Sequence, residues 1–360
     1  MTLGYHSPMP PAKTGVADYS EALVRALRRH VEVAVNPSRE CDIHVYNLGN
    51  NPLHREIYHQ SLYRPGIVIL HDAVLQHFFL GYNNQRTYVE EFVHNSGEWH
   101  RSTAERLWRD RGQSAHDPAY FRYPMLRRIT DSARRIAVHN PAAATLASGG
   151  APVVEIPHLF EQPPPSDRVR VIETRAAWGR FVFGVFGHLR ESKRLIPVCE
   201  AFARVRAARK DVTLVIAGEF ASDDLARAMR PWLHHPGIVR VPYLSEEDFW
   251  IHAHAVDCCI NLRYPTAAET SGIGVRMMGI GKPVLFTAGE EILRIPTTAH
   301  IAIEPALAER DHLLATMLWL ADNPEHARRI GREAAAHIAQ HHNPDIAARR
   351  LLSMRCLPIQ

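Results

Sequence analysis

Short apolar runs alternate with longer stretches whose apolar positions recur every three or four residues, and the alternation continues along all 360 residues. In the first half, "DIHVYNL", "GIVILHD" and "RRIAVHN" read as strands, and "DYSEALVRALRRH" reads as a helix with a stripe through Leu23, Leu27 and Val31. The region from Glu90 to Arg135 is polar, arginine-rich and helical in character. In the second half, "FVFGVFGHL", "VTLVIAGEF", "AVDCCINL" and "KPVLFT" read as strands, with "LIPVCEAFARVRAA" as a helix. The final stretch reads as two helices divided at Asn343 and Pro344. Strands that alternate with helices in this way predict an α/β chain with parallel sheets.

Pro163, Pro164 and Pro165 interrupt the pattern. Consecutive prolines forbid a helix and stiffen an extended segment, so a linker belongs there. The expectation is two doubly wound, Rossmann-like domains, residues 1–165 and 166–335, with residues 336–360 carrying a terminal helix that crosses back to the first domain. In such sheets a ligand sits outside the carboxyl ends of the strands, here in the cleft between domains. The residues just after each strand are therefore the candidates.

Composition narrows this little: 46% hydrophobic and 22% charged residues are ordinary globular values. A net charge of +4 permits an anionic small molecule or an acidic surface without demanding either. The five cysteines, Cys41, Cys199, Cys258, Cys259 and Cys356, form no C-x-x-C, which favours a reducing compartment. Prolines near the N-terminus stand where a signal peptide needs an apolar core, and no apolar run approaches the ~20 residues of a membrane span. The expectation is a cytoplasmic protein. The 23 histidines raise the question of metal, but there is no H-E-x-x-H, and His252 and His254 diverge on a helix. There is no phosphate-loop motif, no D-x-D, and only "GIG" at Gly272 to Gly274 in place of a dinucleotide fingerprint. No metal and no tightly bound cofactor are expected, so cationic side chains must carry any phosphate charge.

Three segments supply such chemistry. In "RYPTAAETSG", a helix starting near Ser271, with Ile273, Met277 and Ile280 as its apolar face and Thr270 or Ser271 as its cap, offers free N–H groups to an anion. Glu269 would repel that anion, so its carboxylate suits hydroxyls, as on a sugar ring. A first-turn dipole role would also place a glutamate there, but leaves Arg263 and the rest of the loop unexplained. In "RESKRL", Arg190, Lys193 and Arg194 crowd a helix start, an unfavourable place for cations unless a phosphate bridges them; a solvated basic loop is the alternative. Near the N-terminus, Gly15 lets a ligand approach the backbone closely, or simply completes a capped turn. His71, His139 and His158 each follow a strand.

At these residues the chain resembles a known family. "SPMPPAKTGVADYSEAL", "ILHDAVLQH", "VVEIPH", "FGHLRESKRLIPVCEAF" and "LRYPTAAETSG…MGIGKPV" are similar, across nearly the whole chain, to segments of the family-4 retaining glycosyltransferases of the GT-B fold, which use nucleotide-sugar donors. The resemblance implies a metal-independent transferase acting on a glycan, a lipid-linked molecule or a small hydroxyl acceptor. It implies that Gly15 meets the donor diphosphate, that His71 and His139 lie near the sugar, and that Lys193 neutralises the leaving group. Glu269 would hold sugar hydroxyls, the Thr270, Ser271 and Gly272 amides the phosphate, and the Tyr243–Leu244 backbone the base. Two positions depart from the pattern. His188 stands where the family has an arginine, a loss that Arg190 or Arg194 would have to compensate. Arg276 stands where a second glutamate holds the ribose.

Two rival readings are a binding protein that kept this fold without the chemistry, which His188 and Arg276 favour, and an epimerase or phosphorylase of the same fold. The arginine-rich segment is broken by Glu105, Asp110 and Asp117, which disfavours nucleic acid. With Trp99 and Trp108 it suits an anionic membrane surface at the inner face of the membrane, or a solvated helix with internal ion pairs.

Overall fold

The computed structural model describes residues 1–12 and 14–354. Strands β1 (Thr2–His6), β2 (Glu32–Val35), β3 (Ile43–Leu48), β4 (Ile67–Leu70), β5 (Arg135–Val138) and β6 (Val153–Glu155) form one sheet in the order β2-β1-β3-β4-β5-β6. Strands β7 (Phe181–Phe186), β8 (Val212–Ala217), β9 (Ile238–Val241), β10 (Cys258–Asn261), β11 (Val284–Thr287) and β12 (Ile301–Ile303) form a second, in the order β12-β11-β10-β7-β8-β9. The strand pairs within each sheet are parallel. The inner strands β4, β5, β7, β8 and β10 are buried along their whole length, as expected of parallel strands covered on both faces.

Strands β1, β2, β9 and β12 escape the sequence pattern. Each is three to five residues long, and β1 is interrupted by Gly4 and ends in His6. Segments that short carry no periodicity, and pairing with a longer neighbour makes them strands. Residues 156–167, which include the three prolines, have no regular structure and join the two sheets. After the second sheet, the helix Pro324–His341 packs on the helix Gly272–Gly279, and the helix Pro344–Ser353 packs on the helix Gly15–Leu27 of the first half. Its Ala347, Ala348 and Leu351 are buried with Leu3, Tyr5 and Leu23 in one core.

The halves touch through named bonds. Ala73 N–H donates to Ala267 O at 2.8 Å, Phe160 N–H to His342 O at 2.8 Å, and Arg294 grips Glu155 with two bonds of 2.8 and 2.9 Å. Among the described residues the four cysteines are free, and Cys356 lies outside them. No helix among them is long and apolar enough to cross a membrane.

Candidate functional site

The strand order of the second sheet reverses between β7 and β10, and a crevice opens at such a point. After β7 the chain makes one tight turn, Glu191–Lys193, and Arg194 takes a left-handed conformation (φ 59°) before the helix Leu195–Ala208. This folds Lys193 under the strand end. It is 3% exposed, and its Nζ donates to Phe186 O at 2.8 Å. Burial pushes its ammonium well below the ordinary lysine range; Arg263 and Arg190 press the same way, against Cys259 and Glu269. Arg190 is exposed, with no ion pair among the described residues, and its charge also reaches Asp72. Arg194 is not part of this group: its guanidinium is turned to the buried Glu309, at 2.5 and 3.0 Å. His188 is largely exposed on the same loop, and the partial covering of its ring, with Arg190 nearby, lowers its pKa.

After β10 comes the loop that leads to Ser271. Arg263 Nε meets Glu269 Oε1 at 3.2 Å, while Glu269 Oε2 accepts from Ala267 N–H at 2.9 Å and Thr266 Oγ1 at 3.2 Å. Ala268 is left-handed (φ 57°), which costs an alanine about 1–2 kcal/mol. The loop is held there from the other half: Asn140 Nδ2 donates to Ala268 O at 2.8 Å and to Thr270 Oγ1 at 2.9 Å. Asn140 Oδ1 meanwhile caps the helix Pro141–Leu146 by accepting from Ala143 N–H. Ser271, rather than Thr270, caps the helix Gly272–Gly279, accepting from Gly274 N–H at 3.2 Å. The buried face of that helix is Gly274, Val275, Met277 and Met278; Ile273 and Ile280 are only half-buried, because the helix is covered by the sheet on one side and Pro324–His341 on the other.

The first half brings its three histidines together around a residue the sequence did not single out. The Tyr19 ring lies 4.7 Å from that of His71, 5.1 Å from His139 and 5.3 Å from His158. The Tyr19 hydroxyl and His139 Nε2 are buried without a partner among the described residues. His71 bonds Asn47 Oδ1 at 3.0 Å, and His139 Nδ1 bonds Ile156 O at 3.2 Å. Burial holds all three neutral, His139 at about 4, His158 at about 3 and His71 well below its usual value. The cluster faces the Ser271 helix start, since a Cβ on Gly272 would sit 3.5 Å from His158. Beside it, Asp72 accepts from Asn50 N–H at 2.7 Å, and burial together with Glu269 raises its carboxyl to about 6.

Gly15 begins its helix with open space above it: an added Cβ would meet nothing within 4 Å. Tyr243 is 61% exposed after β9, and Leu244 packs with Phe249 and Trp250. Arg276 pairs with Glu246 and lies over the Phe249 and Trp250 rings at 4.1 and 4.4 Å. Glu246 also accepts from Trp250 Nε1 at 2.8 Å. Among the described residues no group of three His, Cys, Asp or Glu side chains is placed to hold a metal ion.

Asn140 had a legible signal, an asparagine before proline at the end of a strand, which marks a helix cap. Asp72 stands beside His71 at a strand end, where candidates are expected; Tyr19 and Asn261 had no signal beyond polarity.

No protein-family model matches the sequence, and no curated protein matches it. Solved structures do. Sucrose-phosphate synthase from Thermosynechococcus elongatus is 13% identical, with a TM-score of 0.67 over 99% of this chain and 98% of that one. Anabaena HepE in complex with UDP-glucose is 15% identical, with a TM-score of 0.65 over 99% of both chains. WaaG, a glycosyltransferase involved in lipopolysaccharide biosynthesis, is 13% identical, with a TM-score of 0.60 over 97% of this chain and 99% of that one. Two parallel six-stranded sheets, a terminal helix returned to the first of them, and end-to-end likeness to these structures make this a protein of the GT-B fold.

Proposed function

We propose that the protein is a retaining glycosyltransferase that moves a sugar from a nucleoside-diphosphate sugar to a hydroxyl acceptor without a metal. The observation that carries this is Lys193, a buried ammonium beside Arg190 and Arg263 at the strand reversal, in the same crevice as the Ser271 helix start. Such a lysine is stabilised only when an anion arrives. A diphosphate fits, held by Lys193, Arg190 and the amides of Thr270, Ser271 and Gly272, with Gly15 open to it from the other side. HepE, of the same fold, holds UDP-glucose, and in another crystal UDP and glucose.

In this reading Glu269, fixed by Arg263 and its own loop, receives sugar hydroxyls, with His71 and His139 on the opposite wall. The sugar–phosphate bond loosens toward an oxocarbenium-like state while the cations and amides stabilise the leaving diphosphate. The acceptor hydroxyl attacks from the face the diphosphate leaves, and a departing phosphate oxygen takes its proton. No enzyme nucleophile is needed. The base lies along Tyr243 and Leu244. Glu246, held by Arg276 and Trp250, supplies the carboxylate for the ribose that position 276 lacks.

The second reading, nucleotide-sugar binding without turnover, is favoured by His188 and by an Arg276 already paired. The acceptor is a glycan, a lipid-linked molecule or a small molecule. Trp99, 81% exposed on the arginine-rich segment, suits a lipid surface, although Arg101 and Arg127 already pair with acids at helical spacing. Binding to anionic vesicles at low salt tests that contact, and no binding removes it.

A thermal-shift screen against UDP, GDP, ADP and dTDP and their sugars, with and without EDTA, tests the donor site. A shift with one nucleotide, insensitive to EDTA and lost in Lys193→Met, is expected. No shift with any of them overturns the proposal, and a shift without sugar transfer selects the second reading.

A further inference from the structure

The turn that carries Lys193 is held from three sides. Ser222, which caps the helix Asp223–Leu233 by accepting from Leu225 N–H at 3.0 Å, gives its hydroxyl hydrogen to Glu191 Oε1 at 2.5 Å. Tyr264 N–H, next to Arg263, donates to Ser192 O at 2.8 Å, and the Tyr264 ring lies 5.8 Å from the Arg194 guanidinium. Arg194 itself reaches Glu309, the first residue of the helix Glu309–Asp322. Its Nε stands 3.0 Å from both carboxylate oxygens, and its Nη2 stands 2.5 Å from Oε2. Glu309 is 1% exposed, and a carboxylate so buried has to be paired.

Arg194 is left-handed (φ 59°, ψ 36°), a conformation that crowds any Cβ and that glycine adopts freely. Its N–H closes the turn on Glu191 O at 3.1 Å, as Lys193 N–H does on Arg190 O at 3.0 Å. If the turn were all this position required, glycine would supply it at lower cost. An arginine there is explained by what its side chain holds. Attachment of the helix Glu309–Asp322 does not need it. Leu313, Met317 and Leu320 already share a core with Leu195, Val198 and Phe202, and Arg204 meets Asp311 between the same helices at the surface, at 3.0 Å. What does depend on residue 194 is its neighbour. The Lys193 Nζ lies on Phe186 O because the backbone of this turn brings it there, and a residue 194 that left the left-handed region would swing the lysine out from under the strand end.

We propose that Arg194 and Glu309 are positioning residues for Lys193: their buried ion pair holds the left-handed turn that keeps the ammonium beneath the end of β7, where a diphosphate meets it. This rests on the donor reading above and adds the pair that keeps its central lysine in place.

The test is calorimetric titration at mildly alkaline pH, in buffers of different ionisation enthalpy, with whichever of UDP, GDP, ADP and dTDP raises the melting temperature in the screen. The reading is the proton uptake that Lys193→Met abolishes, since only a lysine kept under the strand is short of its proton before the anion arrives. Glu309→Gln removes the buried charge instead of stranding it. It should cut that uptake to about half or less and weaken nucleotide binding at least about tenfold, the worth of one hydrogen bond to a charged group. Adding Arg194→Gly should restore most of the uptake, because glycine takes the left-handed turn unaided. Asp311→Asn, which loosens the surface pair between the same helices, should leave uptake unchanged. If Glu309→Gln does not fold, Arg194→Lys, which keeps the buried charge paired but loses the two-pronged grip, carries the same expectation. Unaltered uptake and affinity overturn the positioning role and leave the donor reading standing. So do an equal loss in Asp311→Asn, a loss that glycine does not mend, and a wild type that binds the nucleotide without uptake. Binding of no nucleotide overturns both.

Discussion

A lysine ammonium out of water, with two arginines near it, is at a disadvantage until an anion arrives. Diphosphate binding should therefore draw a proton onto Lys193 at alkaline pH, because its pKa in the free protein lies well below the ordinary value and an anion raises it. Titration of the nucleotide in buffers of different ionisation enthalpy should register net proton uptake that Lys193→Met abolishes. The same variant should lose ~10²–10³ in turnover, the cost of removing one preorganised group that stabilises developing charge. Turnover near the wild-type value would sink the assignment. Gly15 gives the converse case. Nothing in the protein opposes a methyl group there, so Gly15→Ala should leave the melting temperature unchanged or slightly raised. If the donor backbone passes over Gly15, the variant should still weaken nucleotide-sugar binding severalfold; unaltered affinity would remove Gly15 from the site.

Among the elements, the loop between β10 and the Ser271 helix is the one whose shape depends on the other half. Its strained Ala268 and its Thr270 both hang on Asn140. Asn140→Ala loses the helix cap as well, at a cost of about 1 kcal/mol. Asn140→Asp keeps a good cap but cannot donate to the loop. If the latch positions Glu269, both variants should lose donor affinity alike, while the aspartate variant keeps more of its thermal stability. Affinity that followed stability instead would reduce Asn140 to a capping residue. The returned helix Pro344–Ser353 supports the opposite end of the first half. Leu351 is fully buried against the first sheet's core, and Leu351→Ala should destabilise by ~2–5 kcal/mol in chemical denaturation.

Across the whole molecule, the buried histidines set the response to acid. His6, His54, His139 and His342 are lowered to about 4, His158 to about 3, and His71 well below its usual value, each mainly by burial. The unfolded chain, with histidines near 6.5, binds more protons than the folded one between roughly pH 6.5 and 4. Their stabilisation is full above that window and is lost as pH falls through it. Asp72, raised to about 6, works the other way: its contribution is present at low pH and is lost as pH rises through about 6. Asp18 is raised by burial as well, and two carboxyls oppose six imidazoles, so the melting temperature should fall steadily from pH 7 to pH 5. A melting temperature that held or rose over that range would show that these rings are not held neutral.

The alternation of short apolar runs with amphipathic stretches was enough to give α/β architecture, two halves and a proline-marked join, because each half repeats a local pattern that neighbouring residues complete. Lys193, Glu269 and Ser271 could be proposed from the sequence for the same reason: they stand out by what lies within a few residues of them. The short strands β1, β2, β9 and β12 were not, since three to five residues hold no period and only a paired neighbour makes them strands. Nor was the meeting of Tyr19 with His71, His139 and His158, which lie up to 139 positions apart in the chain and converge only where strand ends and a helix face one another. Arg194 could be told from Arg190 only by the position of Glu309, 115 residues away. The same holds for buried polar atoms left unpaired, such as the Tyr19 hydroxyl and His139 Nε2: what a buried donor or acceptor lacks is decided by everything packed around it, which no stretch of sequence contains.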